Sequence, residues 1–377
     1  MHVVLFGAGK IGSAAIARFV RNAGHSLTML DVNPALVEEL SRAGRYTVHS
    51  VGEGVDKHET VSGYEIYCLG TPEADRAIER ADLAFTAVGV NHVGPLLEDV
   101  MPALIRRAKA GAERMDMIFC ENKIGLTEIV RSAMRKAAGA EWETVAPTVN
   151  PVSGCVGIVV APTPGALELE KGPYDIIHID ADEVSDGFDL PGFKPVRPFG
   201  FYIREKLFVY NMAHAIGAYM GMLKGYTYEW EAASDPEIGG VMHRAMDATC
   251  RALTMEYGVK DTAARAEDIF ERINNRYFHD PCWRVGIDPI RKLGPDDRLT
   301  GAYLYAREHG IVCDAYFYGI AAGLLFSHPS DPAAAEVQAC IRRDGVEAAI
   351  RKYTGLTRAE EVGRIRELYE SFSNAQV

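Results

Sequence analysis

The sequence predicts two domains, a doubly wound α/β domain at residues 1–195 and an all-helical domain at residues 196–377. In the first half, short apolar runs alternate with segments of helical periodicity. After residue 200, almost every patterned segment has helical periodicity. Between the two halves lies a segment rich in proline and glycine, residues 186–200, which is typical of a linker or a long connection.

The strands predicted for the first domain are short, apolar and bounded by turn residues. They cover His2–Phe6, Ser26–Leu30, Leu83–Val88, Met115–Cys120, Val159–Ala161 and Asp175–Ile179. The first two strands are each followed by a predicted helix, over Lys10–Ala23 and Pro34–Arg42. Because strands that alternate with helices are usually parallel, we expect a mostly parallel sheet that is covered on both faces.

The second domain is predicted from helix periods and from helix start and stop residues. Its helices cover Arg204–Leu223, Asp235–Tyr257, Ala263–Tyr277, Asp296–Arg307, Asp314–Phe326, Pro332–Arg343 and Ala359–Phe372.

Composition excludes several classes of protein. A net charge of -12 argues against nucleic acid as a partner. The chain has no apolar stretch long enough to predict a membrane span and no visible signal peptide. Seven widely spaced cysteines without a C-x-x-C motif predict reduced thiols and a cytoplasmic protein. No short zinc-binding spacing of histidine or cysteine occurs, so no metal is expected, and the oligomeric state stays open.

A glycine-rich turn joins the first predicted strand to the first predicted helix. It reads Gly7, Ala8, Gly9, Lys10, Ile11 and Gly12, which is G-x-G-x-x-G in the context that dinucleotide binding requires. The first glycine permits the tight turn, the second lets the backbone approach a pyrophosphate, and the third lets helix and strand pack closely. The pattern predicts a Rossmann-type domain with the pyrophosphate at the helix N-terminus.

Residues that end other predicted strands complete the predicted cofactor site. Asp31 ends the second strand, where a carboxylate accepts hydrogen bonds from a ribose and repels the extra phosphate of NADP. Asn33 follows it, and no arginine does, so NAD is the predicted cofactor. Thr86, Val88 and Gly89 lie at the end of a later strand, and we expect them beside the same cofactor.

The segment most informative about chemistry lies in the second half and contains Lys206, Asn211 and His214. On an α-helix, Asn211 lies at about 140° and His214 at about 80° from Lys206, so the three groups can converge on one side. A lysine, an amide and an imidazole form a plausible site for oxidising an alcohol. The spacing taken alone favours the structural alternative, a surface lysine beside a capped or buried polar pair.

Seven segments carry a resemblance that runs from the first strand nearly to the C-terminus. They are FGAGKIG, LDVNP, TAVG, CENK at Cys120–Lys123, EKLFVYNMAHAI, RVGIDPIRKLGPDDRL at Arg284–Leu299, and GIAAGLLF. On these motifs the chain resembles the long-chain polyol dehydrogenases, and most closely their mannitol-1-phosphate 5-dehydrogenase branch. The resemblance implies metal-free oxidation of a sugar alcohol or its phosphate, with Lys206 as the base and Asn211 and His214 as its polar helpers.

Two positions depart from the family pattern. A V-D-R-I motif is expected after the later strands of the cofactor domain, but the region beginning at Val149 reads VNPVSGCVGI. The pattern leaves Asn150 as a candidate polar contact there. The second departure is Asp280, which precedes Pro281 where the family has asparagine. The first departure leaves the identity of the polyol open.

Further residues are expected to contact the small-molecule substrate. Asn122 is predicted near the nicotinamide ribose or the substrate, or alternatively as a strand-end cap. Four cations form a basic segment that could bind a phosphate group, or could pair with neighbouring acids on a solvated helix: Arg284, Arg291, Lys292 and Arg298. Two other functions stay open, a dehydrogenase of an unphosphorylated polyol or a sugar acid such as altronate, and a non-catalytic NAD-binding sensor or scaffold.

Overall fold

The computed structural model describes residues 1–163 and 165–375. It divides into two compact units, one from Met1 to Ile203 and the other from Arg204 onward. The first unit is α/β, and the regular elements of the second unit are helices over its described residues. The predicted fold class is therefore confirmed.

The main sheet of the first unit has eight strands in the order β11-β10-β8-β7-β6-β1-β2-β5. Their bounds, with the three remaining strands of the unit, are β1 (His2–Phe6), β2 (Ser26–Asp31), β3 (Arg45–Gly52), β4 (Val55–Ser62), β5 (Glu65–Cys68), β6 (Leu83–Thr86), β7 (Met115–Phe119), β8 (Val149–Val156), β9 (Glu168–Lys171), β10 (Ile177–Asp180) and β11 (Phe193–Val196). All pairs in the main sheet are parallel except the antiparallel pair of β8 and β10.

Alternate residues of the central strand β1 enter two different cores. Val3 and Leu5 belong to one hydrophobic cluster, and Val4 and Phe6 belong to the other. Successive side chains of a strand point to opposite faces, so both faces of the sheet are covered, as in a doubly wound domain.

The helices of the first unit follow its strands. A π-helical turn at Gly12–Ala17 leads into α1 (Arg18–Asn22), and the others are α2 (Pro34–Ala43), α3 (Pro72–Glu79), α4 (Val93–Lys109), α5 (Leu126–Ala138), α6 (Trp142–Val145) and α7 (Phe199–Arg204), the last of which reaches the second unit. The side chain of Asn33 caps α2 by accepting from the backbone N–H groups of Ala35 and Leu36, and Pro34 takes the first helical position.

Strands β3, β4 and β9 form a separate three-stranded sheet in the order β4-β3-β9, which the sequence did not predict. Strand β4 is mostly polar and exposed, so it lacks the apolar run by which the other strands were recognised. Two further predictions were wrong in part. Val159–Ala161 forms no regular strand, and the predicted connection at residues 186–200 contains β11.

The second unit begins with a π-helical turn at Glu205–Tyr210 that runs directly into α8. Its helices are α8 (Asn211–Leu223), α9 (Glu229–Ser234), α10 (Pro236–Tyr257), α11 (Thr262–Ile273), α12 (Cys282–Gly286), α13 (Pro289–Leu293), α14 (Thr300–Glu308), α15 (Ala315–Leu325), α16 (Pro332–Asp344), α17 (Val346–Thr354) and α18 (Ala359–Ala375). Among the described residues, no helix combines the length and apolar character needed to cross a membrane.

Candidate active site

A first group of candidate site residues lies at one edge of the main sheet. Strands β1, β2, β6 and β7 are parallel and in register, with Phe6 beside both Leu30 and Thr86, and Thr86 beside Phe119. Their carboxyl ends therefore lie side by side. In open α/β sheets, this edge is where ligands bind.

The glycine-rich turn has the geometry that the sequence predicted. Gly7 has a φ of +93°, and a Cβ there would lie 2.6 Å from the Ala87 carbonyl oxygen. A Cβ on Gly12 would lie 2.0 Å from the carbonyl oxygen of Gly7, so no larger residue fits. A Cβ on Gly9 would meet no atom within 4 Å, which leaves open space beside this part of the turn.

Asp31 accepts two backbone hydrogen bonds at the end of β2. Its Oδ2 accepts from the Ala8 N–H at 2.8 Å, and its Oδ1 accepts from the Asn33 N–H at 2.9 Å. The carboxylate therefore holds the glycine-rich turn against β2 as well as carrying a charge. Each carboxylate oxygen can accept a further hydrogen bond, so ribose hydroxyls can be added without breaking these contacts. The side chain of Asn33 is engaged in capping α2.

A buried carboxyl group that sequence reasoning missed lies under the same edge. Glu121 is 4% exposed, and it accepts from the Thr86 hydroxyl at 2.6 Å and from the Val88 N–H at 3.0 Å. Burial raises its pKa, and hydrogen bonds from Thr86, Val88 and Gly89 offset part of that rise. Thr86, Val88 and Gly89 are therefore brought together by a shared acceptor.

Asn122 joins two strand ends. Its Nδ2 donates to the Val156 carbonyl at 3.0 Å, and its Oδ1 accepts from the Val156 N–H at 2.8 Å. The amide is thus used in both directions as a cap at the end of β8, which is the structural alternative that the sequence left open. Lys10 donates to the Ala161 carbonyl at 3.1 Å, and Ile11 is half-buried.

These residues fit a dinucleotide. A pyrophosphate at a helix N-terminus requires three features, and the turn has all of them. They are a positive φ at Gly7, open space beside Gly9 and a close contact that excludes a side chain at Gly12. Asp31 supplies the carboxylate for the ribose.

A second group of candidate site residues lies in the helical unit, where a π-helical turn arranges Lys206 and Asn211. The N–H of Asn211 donates to the Lys206 carbonyl, five residues earlier. In a π-helical turn, residues five apart lie on nearly the same face of the helix. The angle between the Lys206 and Asn211 side chains around the helix axis is therefore smaller than the about 140° of an α-helix. Single π-helical turns occur often at functional sites.

Lys206 is half-buried and lies against an aromatic ring. Its Nζ is 3.4 Å from the centroid of the Tyr210 ring. Tyr210 also contacts His214, with ring centroids 5.6 Å apart in an edge-to-face arrangement. The residues of the predicted lysine, amide and histidine set are thus placed along one continuous helical segment.

His214 lies beside the buried carboxylate of Asp280, which the sequence showed only as a departure from the family pattern. The Nε2 of His214 is 3.5 Å from Oδ2 of Asp280, which is 1% exposed. Burial lowers the pKa of His214, and the hydrogen bond that its ring donates to Asp280 offsets part of that shift. Asp280 also accepts from the Nε of Arg284 at 2.6 Å and from its Nη2. Burial opposes the ionisation of Asp280, but His214 and Arg284 together keep its pKa below the ordinary value.

A second carboxyl group, Glu229, lies on the other side of the same imidazole. Its Oε2 is 4.0 Å from His214 Nε2, and its side chain is 2% exposed. Among the described residues, no group makes a regular hydrogen bond with either carboxyl oxygen of Glu229. The nearby Cys282 thiol slightly favours the ionised form of Glu229. Burial, followed by the negative charge of Asp280, raises the pKa of Glu229 well above its ordinary value. Glu229 is therefore the neutral member of this carboxyl pair.

We expect Glu229→Gln to flatten the pH dependence of stability. A carboxyl group with a raised folded pKa contributes stability that is fully present below the pKa of the unfolded state and is lost as pH rises through the folded pKa. Glutamine cannot ionise, so this loss should disappear from plots of unfolding free energy against pH. The slope is the readout because the amide also changes the absolute stability. An unchanged slope above pH 5 would contradict the assignment of the buried proton to Glu229.

The four predicted cations come together around a cavity of about 410 Å³ in the helical unit. It is lined by His214, Arg284, Val285, Ile287, Asp288, Arg291, Lys292 and Arg298. The structure thus brings the predicted substrate cations beside the predicted catalytic histidine. Three of the four also have acidic partners, as the alternative interpretation of this segment expected.

The ion pairs offset most of the positive charge around the cavity. Arg291 contacts Asp288 at 2.7 Å and Asp297 at 3.1 Å, and Arg298 contacts Asp297 at 2.7 Å. A guanidinium group has five N–H donors, so these pairs do not exhaust its capacity to bind an anion. Lys292 is only 4% exposed and donates to the carbonyls of Val285 and Ile287.

Burial and the nearby charges of Arg298 and Arg291 lower the pKa of Lys292 well below its ordinary value.

Asn150 does not supply the polar contact that was considered for it. It lies at the beginning of β8, where its Nδ2 donates to Asp116 and to the Glu183 carbonyl, and Arg114 donates to its Oδ1. The carboxyl end of the parallel strand β7 is paired with Ser153 rather than with Asn150.

The site residues that were not predicted from the sequence have one property in common: each is a buried carboxyl group. Glu121 follows a predicted strand directly, which is a signal that could have identified it. Asp280 stood out only as a departure from a family pattern, and Glu229 gave no local signal.

Comparisons with known proteins agree with this arrangement. A family model described as the mannitol dehydrogenase Rossmann domain matches residues 1–185, and one described as the mannitol dehydrogenase C-terminal domain matches residues 199–373. The mannitol-1-phosphate 5-dehydrogenase of Thermoanaerobacter pseudethanolicus is 30% identical over 99% of this chain and 99% of its own length. The protein of the same name from Caldanaerobacter subterraneus subsp. tengcongensis is 29% identical over 97% of this chain and 96% of its own.

Solved structures show the same fold at lower identity. Pseudomonas fluorescens mannitol 2-dehydrogenase, in a ternary complex with NAD and D-mannitol, has a TM-score of 0.83 and 15% identity, and the match covers 100% of this chain and 92% of that one. A D-sorbitol dehydrogenase in substrate-free form has a TM-score of 0.78 and 16% identity, covering 100% and 94%. Since the two family models together match most of its residues, the chain belongs to the mannitol dehydrogenase family of oxidoreductases.

Proposed function

We propose that the protein interconverts mannitol 1-phosphate and fructose 6-phosphate, with NAD as cofactor and Lys206 as the general base. The observation that carries this proposal is the cavity in which four cations surround His214. Its support is the similarity over nearly the full length to two proteins named mannitol-1-phosphate 5-dehydrogenase.

The residues at the edge of the main sheet would hold the cofactor. The turn from Gly7 to Gly12 and its helix N-terminus would bind the pyrophosphate, and Asp31 would bind the adenosine ribose. NAD⁺, when bound, accepts a hydride from the carbon that carries the hydroxyl group. Glu121 holds the Thr86–Gly89 segment at this edge in one conformation through three hydrogen bonds.

The helical residues would handle the proton. Lys206, in its neutral form, takes the proton of the secondary hydroxyl group. Asn211 donates a hydrogen bond to the same oxygen as negative charge builds on it, and His214 binds that oxygen or the neighbouring hydroxyl. Asp280 accepts from His214 and so orients its ring, as the carboxylate partner of a catalytic imidazole does.

The cations of the cavity would bind the phosphate group. Arg284 and Arg298 each keep donors beyond those that their carboxylate partners accept, and planar guanidinium groups match the geometry of a phosphate. The acidic partners limit the positive charge, which is the observation that favours the second candidate, a dehydrogenase of an unphosphorylated polyol or sugar acid.

A substrate panel separates the candidates. NADH consumption is measured with fructose 6-phosphate, fructose and tagaturonate at equal concentrations. The proposal expects fructose 6-phosphate to have the highest kcat/KM, and Arg284→Met to reduce that preference by raising KM for the phosphorylated ketose. A preference for fructose or tagaturonate would favour the second candidate. No turnover of any ketose, with NADH binding retained, would favour a non-catalytic NAD-binding protein.

We expect a strong preference for NADH over NADPH because the Asp31 carboxylate would repel the 2′-phosphate. Asp31→Asn is the informative variant, since its amide oxygen can still accept from Ala8 while its charge is gone. Removing one like-charge contact should narrow the preference by about tenfold. The measurement is kcat/KM for each cofactor in both proteins. Equal use of the two cofactors by the unaltered protein would contradict the role of Asp31.

A further inference from the structure

The small sheet of the first unit carries a row of metal-ligand side chains on one face. His49 on β3 is paired across the sheet with His58 on β4 and with Glu170 on β9. Asp56 lies two residues before His58 on the same strand and therefore on the same face. Side chains from three adjacent strands thus meet on a sheet that contributes none of the predicted cofactor or catalytic residues.

The potential ligand atoms are already close together. His49 Nε2 is 2.7 Å from Asp56 Oδ1, and His58 Nδ1 is 3.9 Å from the same oxygen. One ligand atom from each of His49, Asp56 and His58 lies within 4.8 Å of the others. The two imidazole rings are stacked, with centroids 3.9 Å apart and planes 15° apart. Asp56 and His58 are exposed, so rotation of their side chains can close the remaining distances without backbone movement.

The residue types suit one class of cation. Two imidazole nitrogens and one carboxylate oxygen are ligands that Zn²⁺ binds at roughly 2.0–2.2 Å, with a water molecule in the fourth position. An all-oxygen shell, which Mg²⁺ and Ca²⁺ prefer, is not available from this set.

Glu170 supplies an independent feature of a metal site. Its Oε2 lies 3.9 Å from His49 Nδ1, the ring nitrogen that does not face Asp56. Histidines that bind a metal usually donate their second ring N–H to a carboxylate, which fixes the tautomer and the ring orientation. Glu170 lies on the side of His49 where such a carboxylate is needed, and a distance of 3.9 Å must shorten for the hydrogen bond to form.

We propose that His49, Asp56 and His58 form a Zn²⁺ site on the surface of the first unit, with Glu170 orienting His49. The sequence search for short zinc spacings missed it because β3 and β4 bring His49 and His58 together only through strand pairing. A bound Zn²⁺ would link β3 to β4 through their ligands, and Glu170 would connect β9 to His49. Zn²⁺ therefore stabilises the folded three-stranded sheet, because a bound ion favours the state that holds its ligands together.

The test is a titration of the full-length protein with Zn²⁺ after treatment with a chelator. We expect one saturable equivalent, measured by calorimetry, and a higher melting temperature at saturation. His58→Ala and Asp56→Ala should each weaken binding at least about tenfold, and Glu170→Gln should weaken it by about 10–100-fold, as loss of an outer-shell partner does. Mg²⁺ at the same concentration should neither bind nor compete.

Two controls separate this site from unspecific binding. His243→Ala removes an exposed histidine on α10 and should leave the Zn²⁺ affinity unchanged. Ketose reduction by the chelator-treated protein should match that of the Zn²⁺-loaded protein, because the site contains none of the proposed catalytic residues. The proposal is overturned if binding is not saturable, if His58→Ala and Asp56→Ala both bind as tightly as the unaltered protein, or if His243→Ala weakens binding as much as they do.

Discussion

Lys206→Ala is expected to lower kcat by at least about 10²-fold, the usual scale of general acid–base catalysis. The variant loses the group that takes the hydroxyl proton, whereas Asn211 and His214 remain in place along the same helical segment. NADH binding, measured by fluorescence, should change little, because the predicted cofactor residues belong to the other unit. Small amines added to the solution should restore part of the rate by replacing the missing base.

The pH dependence provides the specific control for this prediction. The rate of alcohol oxidation should rise with pH in the unaltered protein as the base loses its proton, and this limb should be absent in Lys206→Ala. Lys206→Arg is a matched variant, since it keeps a cation beside Tyr210 but cannot act as a base at neutral pH. Near-normal turnover of Lys206→Ala would make Lys206 a structural residue, and His214 would be the next candidate base.

Asp280→Ala should have the largest effect on stability. Removing one partner of a buried ion pair usually costs about 3–5 kcal/mol, because the other charge is left without compensation. Arg284 keeps 32% of its side chain exposed and can turn toward water, so we expect a loss near the lower end of that range. The loss is measured as the free energy of unfolding in urea at neutral pH. Catalysis should also fall, since His214 loses the acceptor that orients its ring.

Asp280→Asn is the control that separates the effect of charge from the effect of shape. It should be destabilised less than Asp280→Ala, because the amide oxygen still accepts from Arg284. The sign of the pH effect follows from the lowered pKa of Asp280. Its contribution to stability is present above the unfolded pKa and is lost as pH falls through the folded pKa. Equal stability of both variants and the unaltered protein at neutral pH would show that the pair contributes nothing.

The glycine-rich turn could be predicted from local sequence because its geometry depends on residues that are adjacent in the chain. Few backbone conformations are possible for residues 7–12. They must join a strand that ends at Phe6 to a helix, and glycine stands at positions 7, 9 and 12. Asn33 was predicted as a cofactor residue from its position after β2. Its side chain caps α2, and its contact with a cofactor stays a prediction.

The predicted catalytic set required more than helical periodicity. Lys206, Asn211 and His214 were chosen because their spacing matches a family motif. The π-helical turn that aligns the first two depends on a hydrogen bond across five residues rather than four. The amino-acid types of residues 204–214 do not distinguish a π-helical turn from an α-helix. The two differ only in the carbonyl group to which each backbone N–H donates.

Residue types and short spacings predicted the two-part fold class, the glycine turn and the carboxylate at the end of β2, whereas the lysine segment was chosen on its resemblance to a family motif. These features are local, so the chain carries them within a few residues of each other. The partners of His214 and the zinc ligands were decided only by tertiary structure. Asp280 and Glu229 meet His214 across large separations in the chain, and His49 meets His58 through strand register. Periodicity describes which side of an element a residue occupies, whereas packing decides which other element that side contacts.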